Sequence, residues 1–164
     1  MFKKLLLTVV LLVVAAVIVL PTVRGVETTT LGADAREQTS GSFITTRIGT
    51  THYESMGADS GEPVLLVHGF ASPYYVWDSV TPVLAAAGYR VIRFDLMGRG
   101  YSDRPDVTYN ASYLARQINE LLDGLGIDKP INIVGYSMGG VVAAEFVNQH
   151  PERVKRVALV APFN

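Results

Sequence analysis

The chain has 164 residues, enough for one domain, and 49% of them are hydrophobic. Its net charge of −1 gives no electrostatic reason to expect a nucleic-acid partner. The sequence contains no cysteine, which excludes disulfide bonds, thiolate catalysis and cysteine metal sites.

An apolar stretch runs from Leu5 to Leu20, directly after Lys3 and Lys4. As a helix it spans about 24 Å, and extension to Val23 gives about 28 Å, close to the roughly 30 Å of a bilayer core. One interpretation is an uncleaved signal anchor with the lysines in the cytoplasm. The other is a secretory signal peptide. The remaining chain is accordingly predicted to be extracytoplasmic, anchored to the membrane through this helix or secreted.

Residues 24–42 are polar and are predicted to form a tether between residues 1–23 and a domain that covers 43–164. The domain begins with a predicted hairpin, in which Phe43–Ile48 and Thr51–Glu54 flank a turn at Gly49-Thr50. Short, continuously apolar runs follow, as expected for strands buried on both faces of a parallel sheet, at 63–67, 90–94, 131–134 and 157–160.

Helical patterns lie between these strands. The strongest has apolar residues on one helix face, with Asn110 as its N-terminal cap and Gly126 at its end: Leu114, Ile118, Leu121, Leu122 and Leu125. A second helix is predicted for Val141–Gln149, before Pro151. A weaker one covers 77–87, with Pro82 in its first turn or breaking it. The alternation predicts an α/β fold, a mostly parallel sheet with flanking helices.

Ser137 lies in Gly135-Tyr136-Ser137-Met138-Gly139, between a predicted buried strand and a predicted helix. This is the context of a serine nucleophile on a sharp strand-to-helix turn, called the nucleophile elbow. The turn needs small residues two positions before and after the serine, and Gly135 and Gly139 meet that need. It also aims the Met138 backbone N–H at the position of an oxyanion, beside the positive end of the helix.

His68-Gly69-Phe70 follows the first predicted parallel strand. The Phe70 N–H is the natural second donor to an oxyanion, and Gly69 allows the close backbone approach. His68 has two interpretations, as the catalytic base or as a histidine that orders the loop. The second is favoured.

Asp95 follows the next strand and precedes Gly98, Gly100 and Ser102. It has two interpretations, as the acid of a catalytic triad or as a carboxylate that holds its loop through hydrogen bonds to backbone groups. The loop role is favoured because aspartate and glycine serve turns well.

These three motifs, in this order and spacing, resemble the α/β-hydrolase fold family, in its lid-bearing branch of esterases, lipases and carbon–carbon-bond hydrolases. The resemblance covers about residues 43–164. It implies an eight-stranded sheet whose second strand is antiparallel, with Ser137 as nucleophile and Phe70 and Met138 as oxyanion donors. It further implies hydrolysis of a small, apolar carboxylic ester or related acyl compound through an acyl-serine intermediate, without metal or other cofactor. A serine at the elbow disfavours haloalkane dehalogenases and epoxide hydrolases.

In that family the catalytic acid usually follows the seventh strand and the histidine follows the eighth. Here only four residues follow the predicted sixth strand, so we expect a chain truncated after that strand, without a catalytic histidine or acid. His150 lies about 20 Å along one helix from Ser137, His52 belongs to the distant hairpin, and His68 faces its loop. The open sixth strand predicts a marginal or aggregation-prone isolated chain.

Three functional hypotheses follow. The favoured one is the N-terminal part of a serine hydrolase. The second is a membrane-tethered, non-catalytic pseudo-hydrolase or binding module whose open sheet edge binds a partner strand. The third is a split hydrolase completed by a second polypeptide chain.

Overall fold

The computed structural model describes residues 2–23 and 31–163. The chain divides into two compact units, Met1–Gln38 and Thr39–Asn164. The boundary lies within the segment predicted as a polar tether, of which residues 24–30 lie outside the described residues.

The first unit contains a long helix, α1 (Phe2–Val23), and a short one, α2 (Ala33–Glu37). Every described side chain of α1, at 6–17 and 19, is exposed. Within the described part of the chain, no helix combines the length and apolar character that a membrane crossing requires. The predicted transmembrane helix is therefore not confirmed.

The strands described in the second unit form one sheet: β1 (Ser42–Thr46), β2 (Gly49–Met56), β3 (Glu62–Val67), β4 (Tyr89–Phe94), β5 (Ile131–Tyr136) and β6 (Val154–Val160). Their order is β1-β2-β4-β3-β5-β6. Strand β2 is antiparallel to both of its neighbours, whereas β3 to β6 are parallel to one another. The predicted α/β fold with a mostly parallel sheet is confirmed.

The helices of this unit are α3 (Thr81–Ala86), α4 (Ala111–Gly124) and α5 (Met138–Gln149), with 3-10 turns at Tyr74–Trp77 and Pro151–Arg153. The predicted cap of α4 is confirmed, because Asn110 Oδ1 accepts a hydrogen bond of 2.8 Å from the Tyr113 N–H. The helix predicted for 77–87 begins later, at Thr81, whose hydroxyl donates to the Trp77 carbonyl over 2.9 Å. Pro82 lies in its first turn, where a missing N–H costs nothing.

The hairpin turn differs from the prediction by two residues. Thr46 pairs with Gly49, so the turn is Arg47-Ile48 and Gly49-Thr50 already belongs to β2. The Thr46 hydroxyl closes this turn, donating to the Gly49 carbonyl (3.1 Å) and accepting from the Ile48 N–H (3.4 Å). Side chain-to-backbone bonds of this kind move a turn away from the nearest glycine.

The sheet is covered by apolar side chains on both faces. One face packs against α4 and α5 through a cluster that includes Leu65, Ile118, Leu121 and Phe146. The opposite face carries a smaller cluster: Val64, Leu66, Trp77 and Val91. Alternate residues of β3 thus enter opposite clusters, which accounts for its uninterrupted apolar sequence.

Candidate active site

Ser137 occupies the turn between β5 and α5 in a backbone conformation that side chains rarely adopt, with φ 52° and ψ −121°. Three backbone hydrogen bonds hold it there. Its N–H donates to the Val160 carbonyl (3.0 Å), and its carbonyl accepts from the N–H groups of Gly140 (2.9 Å) and Phe163 (3.2 Å). Strain of this kind persists only where the surrounding structure enforces it, and it is typical of functional sites.

Two glycines permit the turn at Ser137, because backbone atoms occupy the space that a side chain would need at either position. A Cβ atom on Gly135 would lie 2.4 Å from the Gly139 carbonyl oxygen. A Cβ atom on Gly139 would lie 2.3 Å from the Val67 oxygen and 2.4 Å from the His68 oxygen. The end of β3 is therefore packed directly against the start of α5.

The loop that follows β3 runs beside the serine. A Cβ atom on Gly69 would lie 3.2 Å from the Ser137 Cβ, so the two backbones are close neighbours. Among the residues that the structure describes, neither the Phe70 N–H nor the Met138 N–H donates a hydrogen bond. Met138 is the first residue of α5, where backbone N–H groups have no partner within the helix. Both groups are free to donate to an oxygen anion.

His68 is fully buried and joins the loops after β3 and β4. Its Nε2 accepts from the Leu96 N–H (2.9 Å), so Nδ1 carries the proton and donates to the Gly69 carbonyl (2.7 Å). Burial lowers the pKa of His68 and outweighs the Gly69 hydrogen bond. The imidazole is thus held neutral, with both nitrogens engaged by backbone.

Asp95 is also fully buried, at the end of β4. Its Oδ1 accepts from the Tyr74 N–H (2.9 Å), and its Oδ2 accepts from the Tyr101 N–H (3.0 Å). The same Oδ2 lies 2.9 Å from Nδ1 of His52, a buried partner that the sequence analysis missed. No local pattern marks this pair, because 43 residues separate the two side chains.

Both ring nitrogens of His52 face acceptors, since Nε2 lies 2.7 Å from the Ser40 carbonyl. Burial disfavours the charged imidazole, but the hydrogen bonds to Asp95 and Ser40, with the nearby carboxylates of Asp95 and Glu54, outweigh it. The net effect raises the pKa of His52. His52 and Asp95 therefore form a buried ion pair that ties β2 to the loops around the site.

Of the two glycines after Asp95, Gly100 makes room for its carboxylate, whereas Gly98 makes room for the Tyr109 ring. Gly98 and Gly100 both have positive φ, and a Cβ atom on Gly100 would lie 2.1 Å from Asp95 Cγ. The Ser102 hydroxyl donates to the Asp95 carbonyl (2.6 Å), and Gln117 of α4 donates to the same oxygen (3.0 Å). Gln117 is a second residue that the sequence analysis missed.

His150 lies at the C-terminal end of α5, with Nδ1 3.7 Å from Glu152. It lines a groove of about 520 Å³ together with Arg47 and Arg116, and Ser137 is not part of that groove. Within residues 31–163, none of the three histidines hydrogen-bonds to Ser137. In the same range no cluster of three or more acidic or histidine side chains is arranged to hold a metal ion.

Comparison with known proteins identifies a matching protein family and several relatives of similar sequence. A family model described as the alpha/beta hydrolase fold matches residues 62–164. An uncharacterized protein of Mycobacterium tuberculosis is 39% identical over 104 residues, 63% of this chain and 30% of the relative. A soluble epoxide hydrolase of Corynebacterium sp. is 35% identical over 109 residues, 66% of this chain and 37% of the relative.

Among solved structures, an esterase from Exiguobacterium antarcticum superposes with a TM-score of 0.69 at 30% identity, over 75% of this chain and 46% of that one. The chain spans 30 to 40% of the length of the curated relatives it matches. The region matched by the family model, residues 62–164, covers the part of the site from His68 to Gly139.

Proposed function

This chain belongs to the α/β-hydrolase fold family, and on that premise we propose that Ser137 is the nucleophile of a serine hydrolase acting on carboxylic esters or related acyl compounds. The observation that carries the proposal is the conformation of Ser137. A serine held at φ 52°, followed by the unengaged Met138 N–H and close to the loop that carries the unengaged Phe70 N–H, supports the roles of nucleophile and oxyanion donors in acyl transfer.

In this proposal the Ser137 hydroxyl oxygen attacks the acyl carbonyl carbon while a base removes its proton. The carbonyl oxygen becomes an anion and accepts hydrogen bonds from the Phe70 and Met138 N–H groups. Collapse of the tetrahedral intermediate expels the alcohol, which takes up the proton and leaves acyl-Ser137. Water then attacks the acyl carbon, releasing the acid and restoring the serine.

The similarity to an epoxide hydrolase does not change the proposed reaction. The nucleophile determines which covalent intermediate forms, and water must be able to hydrolyse that intermediate. Attack of a serine oxygen on an epoxide carbon would form an ether, which has no carbonyl for water to attack. Attack on an acyl carbon forms an ester, which hydrolyses through the same oxyanion site. Ser137 therefore favours acyl chemistry.

Residues 31–163 place no histidine where it could accept the proton of Ser137. His52 is bound to Asp95 and Ser40, His68 to Gly69 and Leu96, and His150 lines the separate groove. We propose that a histidine outside this range, from the same or a second polypeptide, accepts the Ser137 proton. Loss of the histidine from one well-studied triad lowers kcat on the order of a millionfold.

The test is covalent labelling of the 164-residue chain with a fluorophosphonate, read by peptide mass spectrometry across pH. We expect slow labelling at Ser137 that is absent in Ser137→Ala and rises with pH without a plateau, because no imidazole assists. A plateau with an apparent pKa near that of histidine would show that a resident histidine is the base. No labelling of a folded chain would instead favour the non-catalytic alternative, in which β6 binds a partner strand.

The location of the domain is proposed from the sequence pattern of Lys3, Lys4 and the apolar stretch alone. We propose that the second unit is exported, either still attached to residues 1–23 or after their removal. N-terminal sequencing of the protein from membrane and soluble extracytoplasmic fractions distinguishes the two forms. Intact chain found only in the cytosol would contradict both.

A further inference from the structure

Arg99 contacts two aromatic rings, one of which belongs to the loop that carries a proposed oxyanion donor. Its guanidinium carbon is 4.9 Å from the ring centroid of Phe70, whose loop runs along Ser137. It is 5.7 Å from the ring centroid of Tyr109, which precedes α4. Arg99 itself is half-buried, so its charge is partly removed from water.

The hydrogen-bonding capacity of Arg99 is largely unused. A guanidinium has five N–H donors, and one of its terminal nitrogens donates to the Met97 carbonyl over 3.3 Å. No carboxylate within residues 31–163 forms an ion pair with it. Several other arginines of the domain do have such a partner: Arg47, Arg90, Arg93 and Arg153. Contact with ring faces attracts the charge but consumes none of the donors.

We propose that Arg99 binds a carboxylate on the substrate, so that the preferred substrates are esters carrying one negative charge, such as half-esters of short dicarboxylic acids. The inference rests on the proposed acyl hydrolysis at Ser137 and replaces the expectation of an apolar ester. A guanidinium matches a carboxylate with two parallel hydrogen bonds. The two rings restrain its side chain in advance, which reduces the entropy lost on binding.

The test measures binding to the 164-residue chain carrying Ser137→Ala, which prevents turnover. Monomethyl glutarate is compared with dimethyl glutarate, which has the same carbon skeleton without the charge. We expect the charged ester to bind about tenfold more tightly at low salt, with the preference shrinking as ionic strength rises. Adding Arg99→Gln should abolish the preference, and Arg99→Lys should retain part of it because the charge remains.

Arg116→Gln is the matched control. Its guanidinium also lies over a tyrosine ring, 5.3 Å from Tyr113, but it belongs to the groove that excludes Ser137. This variant should keep the full preference. Equal affinities of the two esters in the parent chain, or a preference that survives Arg99→Gln, would overturn the assignment.

A second readout ties the anion to the reaction centre. Monomethyl glutarate should protect Ser137 from the fluorophosphonate in the chain with the native serine, and protection should fail in Arg99→Gln. Binding without protection would place the anion away from the serine and refute the substrate role of Arg99. The binding comparison does not need a reactive serine, so failure of acyl chemistry at Ser137 and failure of anion binding at Arg99 give different results.

Discussion

Gly139 shows how little freedom single residues have around the serine. The Gly139→Ala substitution would force a Cβ atom to within 2.4 Å of two backbone carbonyl oxygens, of Val67 and His68, which belong to β3 and its loop. We expect it to lower the free energy of unfolding by at least about 1–3 kcal/mol, as overpacking does. Fluorophosphonate labelling of Ser137 should fall with it. Urea denaturation and labelling measure the two effects.

Gly140→Ala is the matched control, one residue further along α5. Its new Cβ would meet Pro162 Cβ at 3.0 Å and Pro162 Cα at 3.3 Å, in the exposed segment after β6, so a shift of a few tenths of an ångström in that segment relieves the contact. Alanine also gains about 1 kcal/mol of helix propensity over glycine, so we expect a near-neutral effect. Equal stabilities of the two variants would mean that the close packing against β3 does not constrain the elbow.

His52 gives the domain a pH dependence of defined sign. The pKa of His52 is raised in the folded state above its ordinary value of about 6.5, so the folded chain holds a proton that the unfolded chain releases. Its contribution to stability is therefore complete below about pH 6.5 and is lost as pH rises through the folded pKa. The free energy of unfolding should decline on that alkaline side, and His52→Gln should remove this part of the decline. Because the substitution leaves Asp95 buried without its ion pair, we also expect it to cost about 3–5 kcal/mol.

His68→Gln is the counterpart with the opposite sign. Burial lowers the pKa of His68, so its contribution is present above about pH 6.5 and is lost as pH falls below that value. This variant should weaken the acid-side loss of stability and leave the alkaline side as it is. A pH profile in which both variants change the same side would contradict the assignment of a charged His52 and a neutral His68.

Among the secondary-structure elements, α4 depends on its cap. The Asn110 side chain accepts from the Tyr113 N–H, one of the four N–H groups that the first turn leaves without a helical partner. We expect Asn110→Ala to lower the free energy of unfolding by about 1 kcal/mol, and Asn110→Ser to retain most of it. Chemical denaturation of the three proteins decides this, and a serine variant as unstable as the alanine variant would argue against capping.

The accuracy of prediction differed between elements for physical reasons. β3 and α4 were predicted well because a strand covered on both faces and a helix covered on one have distinct apolar periods. The β1–β2 turn and the start of α3 were misplaced, since hydroxyl groups of Thr46 and Thr81 decide them and leave no periodic signal. The turn at Ser137 is predictable from sequence because the glycines that it requires lie within one five-residue motif.

On the scale of the whole molecule, β6 presents apolar side chains to solvent. Val157 (47% exposed) and Leu159 (45%) share one face of the strand, and Val160 (46%) lies on the other. Exposed apolar strands at a sheet edge recruit other strands, so we expect the 164-residue chain to self-associate. Val157→Lys should reduce association in sedimentation velocity measurements without lowering the thermal transition.

The control for this prediction is Val83→Lys on α3. Val83 is more exposed than Val157, at 67%, but it lies on a helix and has no strand edge to pair. It should leave association unchanged. If both variants reduce association equally, general surface hydrophobicity and not the edge of β6 is responsible.

The sequence by itself determined the α/β class, the helix and strand pattern and the elbow around Ser137, because each depends on neighbouring residues and on local periodicity. Only the tertiary structure decided which distant side chains meet. The sheet order places β2 next to β4, which brings His52 to Asp95 across 43 residues of chain. The loops after β3 and β4 converge in the same way and set Arg99 between Phe70 and Tyr109. Contacts of this kind follow from how strands pair in space, which no short stretch of sequence specifies.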